Sequence, residues 1–157
     1  MKHLWAPWRM KYILKEKKEG CIFCEKPKEN QDKKNYILYR GKFCFVILNA
    51  FPYNNGHLMI APYAHIKNIE ELNNNTLIEL MSLCQKSITV LKERMDPQGF
   101  NIGINISKVA GAGILEHVHL HIVPRWEGDT NFMPVISDTR VIPQYLSETY
   151  NLLKPGF

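Results

Sequence analysis

The stretch of sequence that decides the fold reads His117-Val118-His119-Leu120-His121-Ile122-Val123. Successive side chains of a β-strand point to opposite faces, so this alternation predicts a strand over residues 117–123. Its histidines would share one face, and the apolar residues between them would enter the core from the other. A single histidine on a strand is usually structural, whereas an alternating row of them indicates a functional site.

Shorter patterns on either side add further strands to this one. Residues 36–40 and 42–48 are rich in β-branched and aromatic side chains and meet at Gly41, which predicts a hairpin. Residues 57–61 and 100–106 are predicted to form two more strands, which are bounded by turn-forming residues. Consecutive strands joined by tight turns favour an antiparallel sheet.

Two helices are predicted beside the sheet. From Thr76 onwards, apolar residues recur with the period of a helix at Leu77, Met81, Cys84, Ile88, Leu91 and Met95. Thr76 and Glu79 would form a capping box at its start, and the turn residues 96–99 would end it. A second helix is predicted over residues 140–153, with Pro143 in its first turn. The order of elements indicates an α+β fold with an antiparallel sheet and helices on one of its faces.

Composition indicates a single ordinary globular domain over residues 1–157. The chain is 45% hydrophobic and 22% charged, and it contains no repeat, low-complexity block or linker. Its longest uninterrupted apolar run, residues 43–48, is too short to cross a membrane. The first residues lack the apolar core of a secretory signal. We therefore expect a cytoplasmic protein with no membrane partner.

The positive charge is concentrated near the N-terminus. The chain has a net charge of +5, and residues 1–42 hold twelve Lys or Arg against five Asp or Glu. Nucleic-acid binding would need a basic face interleaved with aromatic or groove-reading elements. The mixed-sign run at residues 15–19 is instead typical of a solvated surface. We therefore expect no nucleic-acid partner.

Two of the four cysteines, Cys21 and Cys24, form a C-x-x-C motif. In a chain without a secretory signal this spacing indicates a metal knuckle or a redox pair. Redox pairs normally begin a helix that follows a strand in a βαβ unit, and the lysine-rich flanks show no such pattern. A metal is therefore favoured. Cys44 and Cys84 lie in apolar patterns and are interpreted as core residues.

Two kinds of chemistry use a row of histidines such as this one. The imidazoles could hold a catalytic metal with an open position for water. Alternatively, a neutral imidazole could attack phosphorus while its neighbours orient it and neutralise charge. The loop at residues 105–113 ends in small residues, which lets backbone N–H groups approach a polyanion. It lacks the ending of a P-loop, but beside the histidines it favours phosphate.

The sequence resembles the histidine triad superfamily. Residues 117–123 fit its signature, and the similarity runs from residues 4–9 through Asn49 and residues 56–58 to residues 124–129. Within the superfamily it is most similar to the bacterial diadenosine tetraphosphate phosphorylase or hydrolase branch. The resemblance implies a five-stranded antiparallel sheet with one long helix and a C-terminal helix, and a homodimer whose sheets run together.

The resemblance also divides the chain and assigns roles. Residues 1–35 would form a basic N-terminal segment with a zinc knuckle, and residues 36–157 the catalytic core. His119 would attack the α-phosphate of a dinucleoside polyphosphate and form a transient nucleotidyl-histidine. His121 would contact the phosphate, and His57 would support the triad through its hydrogen-bond network.

Substrate binding and the acceptor follow from the same resemblance. Besides His121, the implied nucleotide-binding set is Asn49 for the ribose and Asn105, Gly111, Ala112 and Gly113 for the phosphates. Relatives that phosphorolyse dinucleotides tend to carry a hydroxyl residue where this chain has Gly113, so both phosphate and water stay open as the acceptor. Arg125 and Trp126 would contact either the substrate or the dimer partner.

The implied zinc ligands are Cys21, Cys24, His65 and His117. These residues make a closed, four-coordinate structural set with no organic cofactor. The alternative is a pair of reduced thiols beside a surface histidine. Three other functions fit the same residues: a nucleoside phosphoramidase, a non-catalytic nucleotide sensor, and a metallohydrolase in which the triad itself holds zinc.

Overall fold

The computed structural model describes residues 20–129 and 142–157, and within these ranges five strands form one sheet. The strands are β1 (Ile37–Arg40), β2 (Cys44–Leu48), β3 (Leu58–Pro62), β4 (Gly99–Gly103) and β5 (Leu120–Arg125). They lie in the order β1-β2-β3-β5-β4, and every neighbouring pair is antiparallel. The predicted α+β fold with a five-stranded antiparallel sheet is confirmed.

The predicted hairpin forms through Gly41, whose N–H donates to the Cys44 carbonyl at 2.8 Å. The predicted strand at residues 100–106 is shorter than expected and ends at Gly103. The histidine strand also begins later, at Leu120, because the Val118 N–H donates to the Ile66 carbonyl (2.7 Å) outside the sheet.

Four α-helices accompany the sheet in the described ranges. They are α1 (Ile22–Lys28), α2 (Asp32–Asn35), α3 (Asn74–Met95) and α4 (Leu146–Leu153). The C-terminal helix α4 begins later than predicted, at Leu146, because the backbone of Tyr145 is still extended, with φ −69° and ψ 145°. Pro143 therefore precedes the helix, and residues 140–141 lie outside the described ranges. None of the described helices combines the length and apolar character needed to span a membrane.

The predicted capping box of α3 is wrong. The helix is capped by Asn73, whose Oδ1 accepts the Thr76 N–H at 2.9 Å. The Glu79 carboxylate instead accepts the backbone N–H groups of Lys42 (2.7 Å), Phe43 and Cys44 (2.7 Å) in the β1–β2 turn. Hydrogen bonds from main-chain N–H groups to a carboxylate are charge-assisted and strong, so Glu79 links α3 to the β1–β2 turn.

The buried face of α3 is also rotated from the predicted stripe. Met81 is 54% exposed, whereas Leu80 and Val90, which were not part of the stripe, are buried. Apolar residues cover a wide arc of this helix, so periodicity alone does not decide which part of the arc meets the sheet. Packing against β2, β3 and β5 decides it.

The sheet separates two cores. On one face, Val118, Leu120 and Ile122 pack with α3 and α4, as the alternation predicts. The other face holds a smaller cluster that includes Phe23 of α1 together with Phe45. The expectation that helices lie on one face is therefore wrong for α1, because Phe23 is fully buried on the histidine face.

Candidate active site and metal centre

The histidine row divides into two sites. His117 faces the C-x-x-C motif, with its Nδ1 3.2 Å from Cys21 Sγ. His119 and His121 face each other further along, with ring centroids 4.7 Å apart. His117 and His119 are buried, whereas His121 is partly exposed. The row thus provides a metal-ligand donor at one end and a pair of imidazoles at the other.

The tautomer of His119 follows from its hydrogen bond. Nδ1 lies 2.8 Å from the His117 carbonyl oxygen. A carbonyl only accepts, so we assign the proton to Nδ1, and the neutral ring keeps its lone pair on Nε2. Burial lowers the pKa of His119 below its ordinary value, because desolvation disfavours the imidazolium. His119 is therefore held as a neutral ring with a nucleophilic Nε2.

A second set of hydrogen bonds orients His57 and His121. The Tyr53 backbone N–H donates to His57 Nδ1 at 3.0 Å, which assigns the His57 proton to Nε2. That Nε2–H donates to His121 Nδ1 at 2.9 Å. His121 then carries its own proton on Nε2. Burial, with a smaller contribution from His119, lowers the pKa of His121 to about 4, so this ring is a neutral donor.

Asn49, the predicted ribose-binding residue, lies beside these rings. Its Oδ1 accepts the Phe51 N–H at 2.9 Å, and its Nδ2 is 3.3 Å from His57 Nδ1. The backbone therefore fixes which way the amide faces. The amide thus lies beside His57, which in turn donates to His121.

The predicted phosphate loop uses part of its backbone internally. The N–H of Gly111 donates to the Lys108 carbonyl (3.0 Å), and the N–H of Ala112 donates to the Ser107 carbonyl (3.2 Å). Gly111 has a φ of +87°, which favours glycine, and Asn105 Nδ2 lies near it. For these two N–H groups to donate to a phosphate, their hydrogen bonds to the Lys108 and Ser107 carbonyls would first have to break.

All four predicted metal ligands come together. One donor atom from each of Cys21, Cys24, His65 and His117 lies within 4.8 Å of the other three. Cys24 Sγ is 3.3 Å from His65 Nδ1 and 3.6 Å from His117 Nδ1. Tetrahedral zinc with ordinary bond lengths places sulfur and nitrogen ligands about 3.6 Å apart, so the donor set fits the ion.

Neighbouring groups fix this donor set. His117 Nε2 donates to the Pro62 carbonyl at 2.9 Å, which directs the Nδ1 lone pair at the thiols. The two cysteines lie at the start of helix α1, with Cys21 as its N-cap and Cys24 in its first turn. The helix is tied to β1 by Arg40, which donates to the Pro27 carbonyl (2.8 Å) and pairs with Asp32 (2.7 Å). The ligands are therefore positioned by the fold.

Some residues of the site were missed from the sequence, and two of those it singled out, Arg125 and Trp126, make contacts within the chain. Phe23 and the Tyr53 N–H contact the histidines. The only sequence signals that could have identified them are the position of Phe23 inside the C-x-x-C motif and that of Tyr53 in the turn before His57. Arg125 pairs with Asp129 at 2.7 Å and donates to Asn101 at 2.7 Å. Trp126 Nε1 donates to the Asp96 carbonyl at 3.1 Å. These last contacts join the end of β5 to β4 and to the end of α3.

The fold and site define an α+β protein with a cluster of neutral imidazoles beside a Cys₂His₂ donor set. A model of the HIT domain family matches residues 30–128. The chain therefore belongs to the HIT domain family and is an enzyme of the histidine triad type, which confirms the resemblance seen in the sequence.

Individual relatives agree with this assignment. An AP-4-A phosphorylase of Mycobacterium tuberculosis is 39% identical over 162 residues, covering 98% of this chain and 83% of the relative. A bis(5'-adenosyl)-triphosphatase of Dictyostelium discoideum is 27% identical, covering 62% of this chain and 64% of the relative. A Zn-bound histidine triad family protein from Mycobacterium smegmatis has a TM-score of 0.70 at 26% identity, covering 87% of this chain and 92% of the other.

Proposed function

We propose that this protein cleaves dinucleoside polyphosphates of the diadenosine tetraphosphate type at the α-phosphate, with His119 as the nucleophile. The main support is the hydrogen bond from His119 Nδ1 to the His117 carbonyl. Because this bond holds the ring proton on Nδ1, the lone pair of Nε2 is available to attack phosphorus. The names of two relatives, an AP-4-A phosphorylase and a bis(5'-adenosyl)-triphosphatase, support the substrate class.

The proposed reaction has two displacements. Nε2 of His119 forms a P–N bond to the α-phosphorus, and the bond to the bridging oxygen breaks, which releases ATP from diadenosine tetraphosphate. Water or inorganic phosphate then forms a new P–O bond while the P–N bond breaks, giving AMP or ADP. A proton from water passes to solvent.

The neighbouring histidines support both displacements. His121 donates its Nε2–H to a phosphate oxygen and so reduces the developing negative charge. His57 keeps that proton on Nε2, because its own N–H occupies His121 Nδ1. Asn49 holds the ribose beside them, and the loop at residues 105–113 receives the polyphosphate.

The test is a substrate panel read by product identity. Purified protein is incubated with diadenosine tetraphosphate or adenosine phosphoramidate, each with and without inorganic phosphate. ADP formed only with phosphate identifies a phosphorylase, and AMP formed without phosphate identifies a hydrolase. Turnover of the phosphoramidate alone would favour a P–N hydrolase, and turnover of neither substrate would favour a nucleotide sensor. Either of these last results would contradict the proposed function.

We also propose that the Cys₂His₂ cluster holds a structural zinc ion. The set is closed, with four protein donors and no position left for a substrate. Zinc bound there would cross-link α1 to the residues around β3 and β5. We expect about one zinc per chain by elemental analysis, its loss in Cys21→Ser, and its retention in the matched variant Cys84→Ser. Equal zinc content in both variants would contradict this assignment.

We further propose a homodimer formed through the β4 edge of the sheet. The β1 edge is covered, because its Ile37 and Leu38 carbonyls accept the Tyr150 hydroxyl (3.2 Å) and Lys154 Nζ (2.8 Å). At the opposite edge, Ile102 of β4 is 45% exposed. An exposed strand edge is a template for pairing with another chain. Light scattering should show a dimer that Ile102→Asp converts to a monomer, and a wild-type monomer would contradict the proposal.

A further inference from the structure

Phe23 contacts the histidine row from within the C-x-x-C helix. Its side chain is fully buried. Its ring centroid lies 4.8 Å from that of His119 and 5.2 Å from that of His117, at interplanar angles of 42° and 55°. It also packs on Phe45, at 6.3 Å. The ring of His119 is therefore in contact with an aromatic side chain as well as with a hydrogen-bond acceptor.

We propose that Phe23 is a positioning residue for His119. The second side-chain torsion of histidine is broad, and a half-turn of the ring exchanges Nδ1 with a carbon. One hydrogen bond to the His117 carbonyl opposes that turn. The Phe23 ring, packed against the imidazole, opposes it as well, because close-packed neighbours leave little room for rotation. Phe23 thereby keeps the Nε2 lone pair directed towards phosphorus. The kinetic part of this inference rests on the proposed function.

A purely structural role for Phe23 predicts something different. Phe23 belongs to the same apolar cluster as Phe45, which is also fully buried. If Phe23 only fills space there, its truncation should resemble truncation of Phe45. Phe45 stacks on Tyr63 (5.3 Å) and contacts Phe23, and no ring contact joins it to a histidine among the described residues. Phe45→Leu is therefore the matched control for Phe23→Leu.

The experiment combines kinetics with the tautomer of His119. Wild type, Phe23→Leu, Phe23→Met and Phe45→Leu are compared at about pH 7.5, above the ordinary histidine pKa. Metal content and melting temperature are measured for each, so that loss of metal or of fold is seen directly. kcat and KM are measured with diadenosine tetraphosphate. Long-range ¹H–¹⁵N spectra, assigned through a His119→Gln variant, report which ring nitrogen carries the proton.

We expect Phe23→Leu to lower kcat by about tenfold to a hundredfold with KM nearly unchanged, since small misplacement of a reacting group has effects of this size. The His119 signal should change from a single Nδ1–H form to a mixture. Phe23→Met should lie between wild type and Phe23→Leu, and it serves as the test if the leucine variant does not fold. Phe45→Leu should keep the wild-type kcat and tautomer.

Two results would overturn the positioning role: equal losses of kcat in Phe23→Leu and Phe45→Leu, or a wild-type tautomer in both Phe23 variants. If the wild-type protein turns over no substrate, the proposed function fails. The tautomer spectra still decide whether Phe23 positions His119, so the two failures can be told apart.

Discussion

The two faces of the sheet are stabilised by different kinds of interaction. Beneath α3 and α4 the core is apolar, and Leu80 and Leu91 are at most 1% exposed. The opposite face buries His117 and His119, and each has a ring nitrogen paired with a backbone carbonyl oxygen. Leu80, Leu91, His117 and His119 are all almost completely buried, but only the two histidines have their ring direction fixed by a hydrogen bond.

This difference separates stability from chemistry. Apolar contacts have no direction, so the helix-covered face depends on how well its volume is filled. A neutral imidazole has one donor and one acceptor, and exchanging them changes what the ring can do. We therefore expect substitutions on the helix-covered face to change mainly the free energy of unfolding, and substitutions of the histidines, or of the side chains that orient them, to change mainly turnover.

The largest effect is expected for His119→Ala. Turnover of diadenosine tetraphosphate should fall by about 10³-fold or more, equivalent to about 4 kcal/mol in the activation barrier, because the variant has no nucleophile. The free energy of unfolding should fall by about 1–2 kcal/mol, since one buried hydrogen bond is lost. Initial rates and urea denaturation measure the two quantities. If His119→Ala keeps turnover within tenfold of wild type, His119 is not the nucleophile.

The opposite pattern is expected for Leu91→Ala. Leu91 is fully buried in the core under α3, so its truncation should lower the free energy of unfolding by about 2–5 kcal/mol. Because Leu91 belongs to the apolar core on the face away from the histidines, kcat of the folded fraction should stay within twofold of wild type. Urea denaturation and initial rates below the melting temperature test this. A parallel fall in kcat would mean that the two faces are coupled.

The free energy of unfolding should depend on pH because His121, on the histidine face, is partly buried as a neutral ring. His121 has a folded-state pKa of about 4 and an ordinary pKa of about 6.5 when unfolded. Between these values the unfolded chain binds more protons, so its contribution is complete above about pH 6.5 and is lost as the pH falls towards 4.

His121→Asn isolates this contribution. Allowing for partial exposure of the ring, wild type should lose about 1 kcal/mol more than His121→Asn between pH 7 and pH 5. Urea denaturation at several pH values gives the difference. Curves with the same slope for both proteins would show that His121 does not titrate as a buried neutral ring.

The sequence predicted the parts of the fold and site that depend on local pattern. Alternation at residues 117–123 placed the histidines on one face, and their apolar neighbours pack in the opposite core. The four metal ligands also converge as expected. Glu79 was misassigned because its partners are backbone N–H groups about 36 residues away in sequence. Phe23 was missed because contact between α1 and the histidines depends on how the chain folds back over the sheet.

The smallest predicted effect concerns a polar group on the apolar face. Among the described residues, Ser87 Oγ is a buried atom with no hydrogen-bond partner. Ser87→Ala removes the cost of burying it and improves helix propensity, so the free energy of unfolding should rise by about 0.5–1 kcal/mol. The matched control is Ser82→Ala on the same helix, where an exposed hydroxyl donates to the Ile78 carbonyl at 2.8 Å.

The sign of the change in the free energy of unfolding caused by Ser87→Ala shows whether volume alone matters on the helix-covered face. If only volume matters beneath α3, deleting an unpaired hydroxyl from the helix-covered face should stabilise the protein, whereas Ser82→Ala should stay within about 0.5 kcal/mol of wild type. Thermal and urea denaturation of both variants give the comparison. A destabilised Ser87→Ala would mean that this hydroxyl is held by a specific partner, so that orientation as well as volume would matter on the helix-covered face.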